Sequence, residues 1–240
     1  MTEQVHHEVD EHHHRDVQGG SARAAVFGVS DGLVSNVGLI LGVAGADPAP
    51  SVVRLAGLAG LIAGAISMAA GEYNSMRVQS ELLERELDLE RLEIRRNPEF
   101  ETAELAEVYE SRGMGAGPAR EMAEAVMQDP EVALETHARE ELGIDPDALG
   151  QPLKASLSSF VTFSIGATIP LLPYLFGSGT AALVAAVVLS VIAALAVGAA
   201  LARFTGRPIG RSAARQLLFS AVPAAITYAI GSAVGVSGLG

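Results

Sequence analysis

Residues 52–96 constrain this chain more than any other stretch. They begin as an apolar segment, VVRLAGLAGLIAGAISMAAGEY, and run on without a break as NSMRVQSELLERELDLERLEIRR. No proline interrupts them, and no glycine follows Gly71. The polar half is rich in Leu, Glu and Arg, which favour helix. The stretch therefore predicts one helix of 45 residues, roughly 65 Å long at ~1.5 Å per residue. A hydrocarbon core is only ~30 Å thick, so half of this helix has to stand outside a membrane as an acidic stalk.

The bulk numbers agree with such a division. A chain of 240 residues that is 49% hydrophobic, with mean hydropathy +0.33, still carries a net charge of −12. That combination implies segregation of apolar and acidic residues. Residues 81–151 hold 20 of the 28 acidic residues against 7 arginines, so the acidity belongs to one module. It suits cationic partners and disfavours nucleic acid. The absence of cysteine excludes disulfides and thiolate metal sites.

Four further apolar runs complete a reading of five membrane spans: residues 24–46, 155–176, 180–202 and 213–236, besides the first half of 52–96. The fold class expected is all-α, a polytopic membrane protein with five transmembrane helices. A small helical metal-binding module on the cytoplasmic side is inserted between helices 2 and 3. Residues 1–20 form a polar tail with five of the six histidines, residues 21–80 the first two spans, 81–151 the acidic module, and 152–240 the last three spans. The tail reads either as an unstructured or tag-like run or as a loose metal-collecting arm, and no signal peptide is expected. Within the module, Asn97-Pro98 ends the stalk. Short helices are expected over 99–112, 118–128 and 130–142, packed through Phe100, Leu105, Val108, Met122, Val126, Val132, Leu134 and Leu142. Gly60 and Gly64 form a small-xxx-small pair of the kind that lets helices approach closely in lipid.

Arg and Lys fall almost wholly on one side of these spans: Arg15 and Arg23 before the first, Arg77 to Lys154 between the second and third, and Arg203 to Arg215 between the fourth and fifth. The positive-inside rule puts the N-terminus and acidic module in the cytoplasm and the C-terminus opposite, in either a plasma or an organelle membrane.

Asp31 lies inside the first span. An ionisable residue there costs about 2.5–3.5 kcal/mol on insertion scales and usually faces a polar path, although a place near the interface or at a broken helix would also accommodate it. Asp31 lies about 11 Å from the cytoplasmic edge and Met68, on the antiparallel second span, about 6 Å from it. The two can share a level, with Glu72 one turn away as the mouth. Carboxylate and thioether together suit a borderline-soft divalent ion such as Fe²⁺. Outside the membrane, Glu86, Glu90 and Glu93 share a stripe of the stalk. Glu101, Glu104 and Glu107 follow on the next helix, and His137 lies four residues before Glu141. Like charges gathered this way are costly unless a cation holds them together.

The stretches HRDVQGGSARAAVFGVSDGLVSN (residues 14–36), GAISMAAGEY (64–73), NPE (97–99), REELG (139–143) and IGATIPLLP (165–173) together resemble the vacuolar iron transporter family. The resemblance runs in order over nearly the whole chain after residue 14. It implies a homodimer of five-span protomers that moves Fe²⁺, and often Mn²⁺, out of the cytoplasm in exchange for protons. It further implies that Asp31 and Met68 line the translocation path and that Glu90, Glu93, Glu101, Glu104 and Glu141 gather metal. His137 stands where the family has a methionine ligand, and imidazole is competent for Fe²⁺ or Zn²⁺. No organic cofactor and no enzymatic activity are expected, and the partners expected are metal ions, lipid and a second copy of the chain. Two other readings differ in kind. A membrane-anchored metal buffer or sensor would bind without transporting. A ferritin-type di-iron oxidase would need Glu-x-x-His motifs, but the residue three before His137 is Leu134.

Overall fold

The structure is a computed structural model that describes residues 20–143, 145, 146 and 150–236. The histidine-rich segment 1–19 lies outside the described residues. Among the described residues eight helices follow one another: α1 (Gly20–Gly45), α2 (Pro50–Arg96), α3 (Pro98–Ser111), α4 (Ala116–Val126), α5 (Pro130–Glu140), α6 (Pro152–Phe176), α7 (Gly179–Thr205) and α8 (Ile209–Val236). Among the described residues there is no strand. Five of these helices, α1, α2, α6, α7 and α8, are long and apolar enough to cross a membrane, counted over the described residues.

Proline places several helix starts. α2, α3, α5 and α6 all have one in their first turn, where the missing N–H would have had no partner anyway. For this reason α6 begins three residues before the apolar run itself. The 47 residues of α2 are continuous, and the helix stops at Asn97 because Pro98 disfavours helical geometry in the residue before it. Asp129 caps α5, its carboxylate accepting from the backbone N–H of Glu131 (2.9 Å) and of Val132 (3.4 Å). Gly206 ends α7 at φ 66°, a left-handed value that glycine adopts without penalty.

Helix α1 is the hub of the membrane part, packing chiefly on α6 and α8 and also on α2 and α7. Its contact with α6 is backbone on backbone. A Cβ added to Gly32 would lie 2.1 Å from the carbonyl oxygen of Phe163, and one added to Gly166 would lie 2.1 Å from that of Val29. The Gly60–Gly64 pair does something else. Gly60 makes room for Asn36 and Leu39 of α1, and Gly64 for the ring of Phe163 on α6. These two glycines thus admit side chains within the chain, and backbone-on-backbone approach is made instead by Gly32 and Gly166 between α1 and α6 and by Gly231 of α8 against Gly42 of α1.

Beyond the membrane part, α3 and α5 pack against α2, and α4 packs on α3 and α5. The contact face of the stalk is one stripe of buried residues: Met76, Ser80, Leu87, Glu90 and Ile94. Their spacings of three, four and seven keep them on a single helical side. Leu87 and Ile94 meet Ala133, Leu134 and Ala138 of α5, while Leu105, Ala106 and Tyr109 of α3 meet Ala119 and Ala123 of α4. The apolar face expected from the larger side chains is only partly used. Leu105 and Leu134 are buried, but Phe100, Met122 and Val132 are exposed. Alanines take over, because short helices that meet through small side chains can lie close without long apolar residues between them.

Candidate metal centres

The first centre assembles where the stalk stripe crosses α3 and α5. Glu90 belongs to the same buried side of α2 as Leu87 and Ile94, so the packing that buries those two buries its carboxylate as well. Glu101 enters from the first turn of α3, His137 from the last turn of α5, and Glu141 from the residue that caps α5. Glu90, Glu101 and His137 are buried and Glu141 is exposed, and one ligand atom from each of the four lies within 4.8 Å of all the others. Nδ1 of His137 is 3.2 Å from Glu90 Oε1, 3.4 Å from Glu141 Oε2 and 3.8 Å from Glu101 Oε2.

The electrostatics are those of a site that wants a cation. Burial, reinforced by the charges of Glu141, Glu101, Glu93 and Glu104, pushes the carboxyl of Glu90 up to about 7. Burial and the charges of Glu104, Glu141 and Glu93 push Glu101 up to about 7 as well. Glu104 is also raised, by burial first and Glu141 second, with His137 acting the other way. Among the described residues, the ion pairs shown for arginine lie elsewhere, at Glu81, Asp88, Glu124, Glu135, Glu140 and Asp145. None of these takes a carboxylate of the cluster. Of the six residues predicted for this centre, four converge. Glu93 and Glu104 stand at its edge and act on it through their charge. Glu86 and Glu107 are exposed, and Glu140 pairs with Arg112.

The second centre is a cavity of about 320 Å³ in the membrane part, lined by Asp31, Ser35, Asn36 and Leu39 of α1, Gly60, Gly64, Ser67 and Met68 of α2, and Phe163 of α6. Asp31 and Met68, predicted to share a level, line the same space. Asp31 is exposed on its open side and accepts a hydrogen bond from Ser35 Oγ (3.3 Å). Glu72 is half-buried one turn beyond Met68 and is not part of the lining. Two other cavities, beside Leu183 and beside Val234, are lined mainly by apolar side chains. Asn36 was not singled out from the sequence. It lies in the SDGLVSN stretch as the one amide, just over one turn beyond Asp31 and next to Ser35, and that spacing is the available signal.

A bundle of membrane-spanning helices with a polar cavity inside it and a carboxylate–imidazole cluster outside it defines an integral membrane protein built to handle cations. The sequence model of the VIT family matches residues 22–232. The chain is 33% identical over 168 residues to vacuolar iron transporter 1 of Oryza sativa subsp. japonica, covering 69% of this chain and 67% of that one. It is 38% identical over 166 residues to the vacuolar iron transporter of Acanthamoeba castellanii, covering 68% and 60%. With vacuolar iron transporter 1 of Arabidopsis thaliana it shares 33% identity over 181 residues, covering 75% and 72%. This chain belongs to the VIT family, whose members are transporters and not enzymes.

Proposed function

We propose that the chain moves Fe²⁺, with Mn²⁺ as a second cargo, out of the cytoplasm in exchange for protons, as a homodimer of five-span protomers. The observation that carries this reading is the double role of α2. It lines the membrane cavity with Met68 and supplies Glu90 to the cluster, about 33 Å further along the same rigid rod at 1.5 Å per residue. The names of the relatives, all iron transporters, support the cargo. The distribution of Arg and Lys supports a cytoplasmic N-terminus and a cytoplasmic α3–α5 module. The exposure of Asp31 on the open side of its cavity supports a second protomer there, which would close the path.

In this mechanism Glu93, Glu104 and Glu141 draw the ion in, and Glu90, Glu101 and His137 hold it. The mixed oxygen and imidazole donors suit Fe²⁺. Glu72 receives the ion at the mouth. Asp31 and Met68 bind it within the membrane, the carboxylate supplying charge and the thioether a softer donor. Because a carboxylate ligand must be deprotonated to bind, a proton arriving at Asp31 from the opposite side releases the metal, which couples the two fluxes.

The test is flux of Fe²⁺ into sealed proteoliposomes containing the full chain, under an imposed pH gradient. Wild type is expected to carry the ion. Asp31→Asn is expected to lower the flux by about 10–100-fold, the size of effect usual when a metal site loses an interaction. Transport by Asp31→Asn at the wild-type rate would remove Asp31 from the mechanism. Metal binding without any flux in wild type would leave a membrane-anchored buffer instead.

A further inference from the structure

Asn36 is buried, with 1% of its surface exposed, in the lining of the cavity it shares with Asp31 and Met68. Its two amide atoms have different fates. Nδ2 donates to the backbone carbonyl of Ala167 on α6 at 2.6 Å, across the helix interface. Oδ1 has no hydrogen-bond partner, although it is fully buried. The bond to Ala167 fixes the plane of the amide, so the free oxygen has one direction to point. It points at α2, where the position a Cβ would take on Gly60 is 2.8 Å away. Gly60 itself lines the cavity. A glycine there omits the carbon that would press directly on this carbonyl-type oxygen.

A buried acceptor without a donor is unfavourable in a low-dielectric interior, and a cation is the partner that a carbonyl oxygen facing a polar cavity can take. Neutral amide oxygens are ordinary ligands for divalent ions. Asn36 also stands five residues past Asp31, about 7.5 Å further along α1, beyond the level of Asp31 and Met68. A neutral oxygen at that depth accepts an ion without holding it as firmly as a carboxylate does, and it needs no proton to let the ion go.

The geometry points to Oδ1 of Asn36 as a further ligand of the path, the donor that takes the divalent cation onward once Asp31 and Met68 release it. This inference rests on the exporter reading above. The alternative is that Asn36 only clamps α1 to α6, and two substitutions separate these roles. Asn36→Leu keeps the branching at Cγ, with a larger volume, but removes both the oxygen and the Nδ2 bond to Ala167. Asn36→Asp also gives up the amide donor but keeps an oxygen facing Gly60. A ligand role predicts that Asn36→Leu loses flux by about 10–100-fold, while Asn36→Asp retains most of it, with an added dependence on pH. A clamp role predicts that the two fall together.

The measurement is Fe²⁺ and Mn²⁺ flux by the full chain in proteoliposomes, with thermal unfolding of each variant in detergent. Gly60→Ala is read beside them, because its added carbon would lie 2.8 Å from Oδ1 and 2.4 Å from Cδ2 of Leu39, whose flexible end can move aside, while both partners of the Ala167 bond remain in the chain. It is expected to lower flux while unfolding near the wild-type temperature. Wild-type flux from Asn36→Leu, equal impairment of Asn36→Leu and Asn36→Asp, or wild-type flux from Gly60→Ala would each overturn the assignment. If wild type itself carries neither ion, it is the exporter reading that fails.

Discussion

Nδ1 of His137 stands 3.2 Å from Oε1 of Glu90, and yet the two share no hydrogen bond, so that this carboxylate oxygen is buried without a partner. Nδ1 also lies 3.4 Å from Oε2 of Glu141, so carboxylates and an imidazole have been brought together where water is largely excluded. Such a contact is favourable with a cation between the partners and unfavourable without one. His137→Ala should therefore weaken binding of Fe²⁺ or Mn²⁺ by the full chain by about 10–100-fold. Anaerobic titration calorimetry on purified protein checks this. His137→Met, which restores a soft donor, should recover part of the Fe²⁺ affinity and less of the Mn²⁺ affinity.

The carboxyls of Glu90 and Glu101 are both raised to about 7, by burial first and by neighbouring carboxylates second. The sign follows from that direction. In the unfolded chain each would ionise near 4.5, so between that pH and about 7 the folded state binds more protons than the unfolded one. The stability these two groups contribute is fully present below 4.5 and is lost as the pH rises through 7. Metal-free protein should unfold at a lower temperature at pH 8 than at pH 6, and bound Mn²⁺ should offset the loss. Affinity should move the opposite way, rising between pH 6 and 8 as ligands deprotonate. Thermal scans with and without Mn²⁺ across this range check both signs. Glu90→Gln should flatten the metal-free dependence and abolish most of the metal effect.

The membrane part makes a prediction about glycine. A side chain on Gly166 would strike the backbone of Val29 on α1, which has no flexible end to move aside. Gly166→Leu should therefore destabilise the bundle by at least the roughly 1–3 kcal/mol of ordinary overpacking. Gly71 has nothing within 4 Å of the same position and lies inside α2. Gly71→Ala should stabilise by about 0.5–1 kcal/mol, because an exposed helical glycine gives up more backbone entropy than alanine. Thermal unfolding of both variants in one detergent tests the contrast, and equal behaviour would contradict it.

Much of this architecture could be read from residue order because it depends on local facts. The rod of α2 is legible in the absence of proline and late glycine. The shared cavity of Asp31 and Met68 follows from counting 1.5 Å steps along two antiparallel helices. The assembly of Glu90, Glu101, His137 and Glu141 was within reach because each lies in a carboxylate-rich helix. Which of the glutamates would be buried was not. Glu90 goes inside and Glu86 stays outside according to where α5 docks, a contact between residues more than 40 positions apart in the chain. Packing through Ala119, Ala123, Ala133 and Ala138 is likewise silent in a pattern of large apolar residues. Asn36 acquires meaning only beside Ala167 and Gly60, which no spacing rule brings to it.

Met68 offers the sharpest handle on cargo preference. Its thioether shares a cavity with the carboxylate of Asp31, the hydroxyls of Ser35 and Ser67 and the amide of Asn36, so it is the one soft donor in an oxygen-rich lining. Met68→Leu keeps nearly the same volume, and such swaps usually cost under about 1.5 kcal/mol in packing. Whatever it does to transport then reports on the sulfur. Fe²⁺ gains more than Mn²⁺ from a soft ligand. Met68→Leu should therefore lower Fe²⁺ flux by about tenfold, equivalent to about 1.4 kcal/mol, and leave Mn²⁺ flux much closer to wild type. The readout is the ratio of the two fluxes measured in the same vesicles, which is insensitive to how much protein was reconstituted. An unchanged ratio with both fluxes reduced would make Met68 a wall of the cavity and not a ligand. A change in the ratio would place its sulfur on the ion.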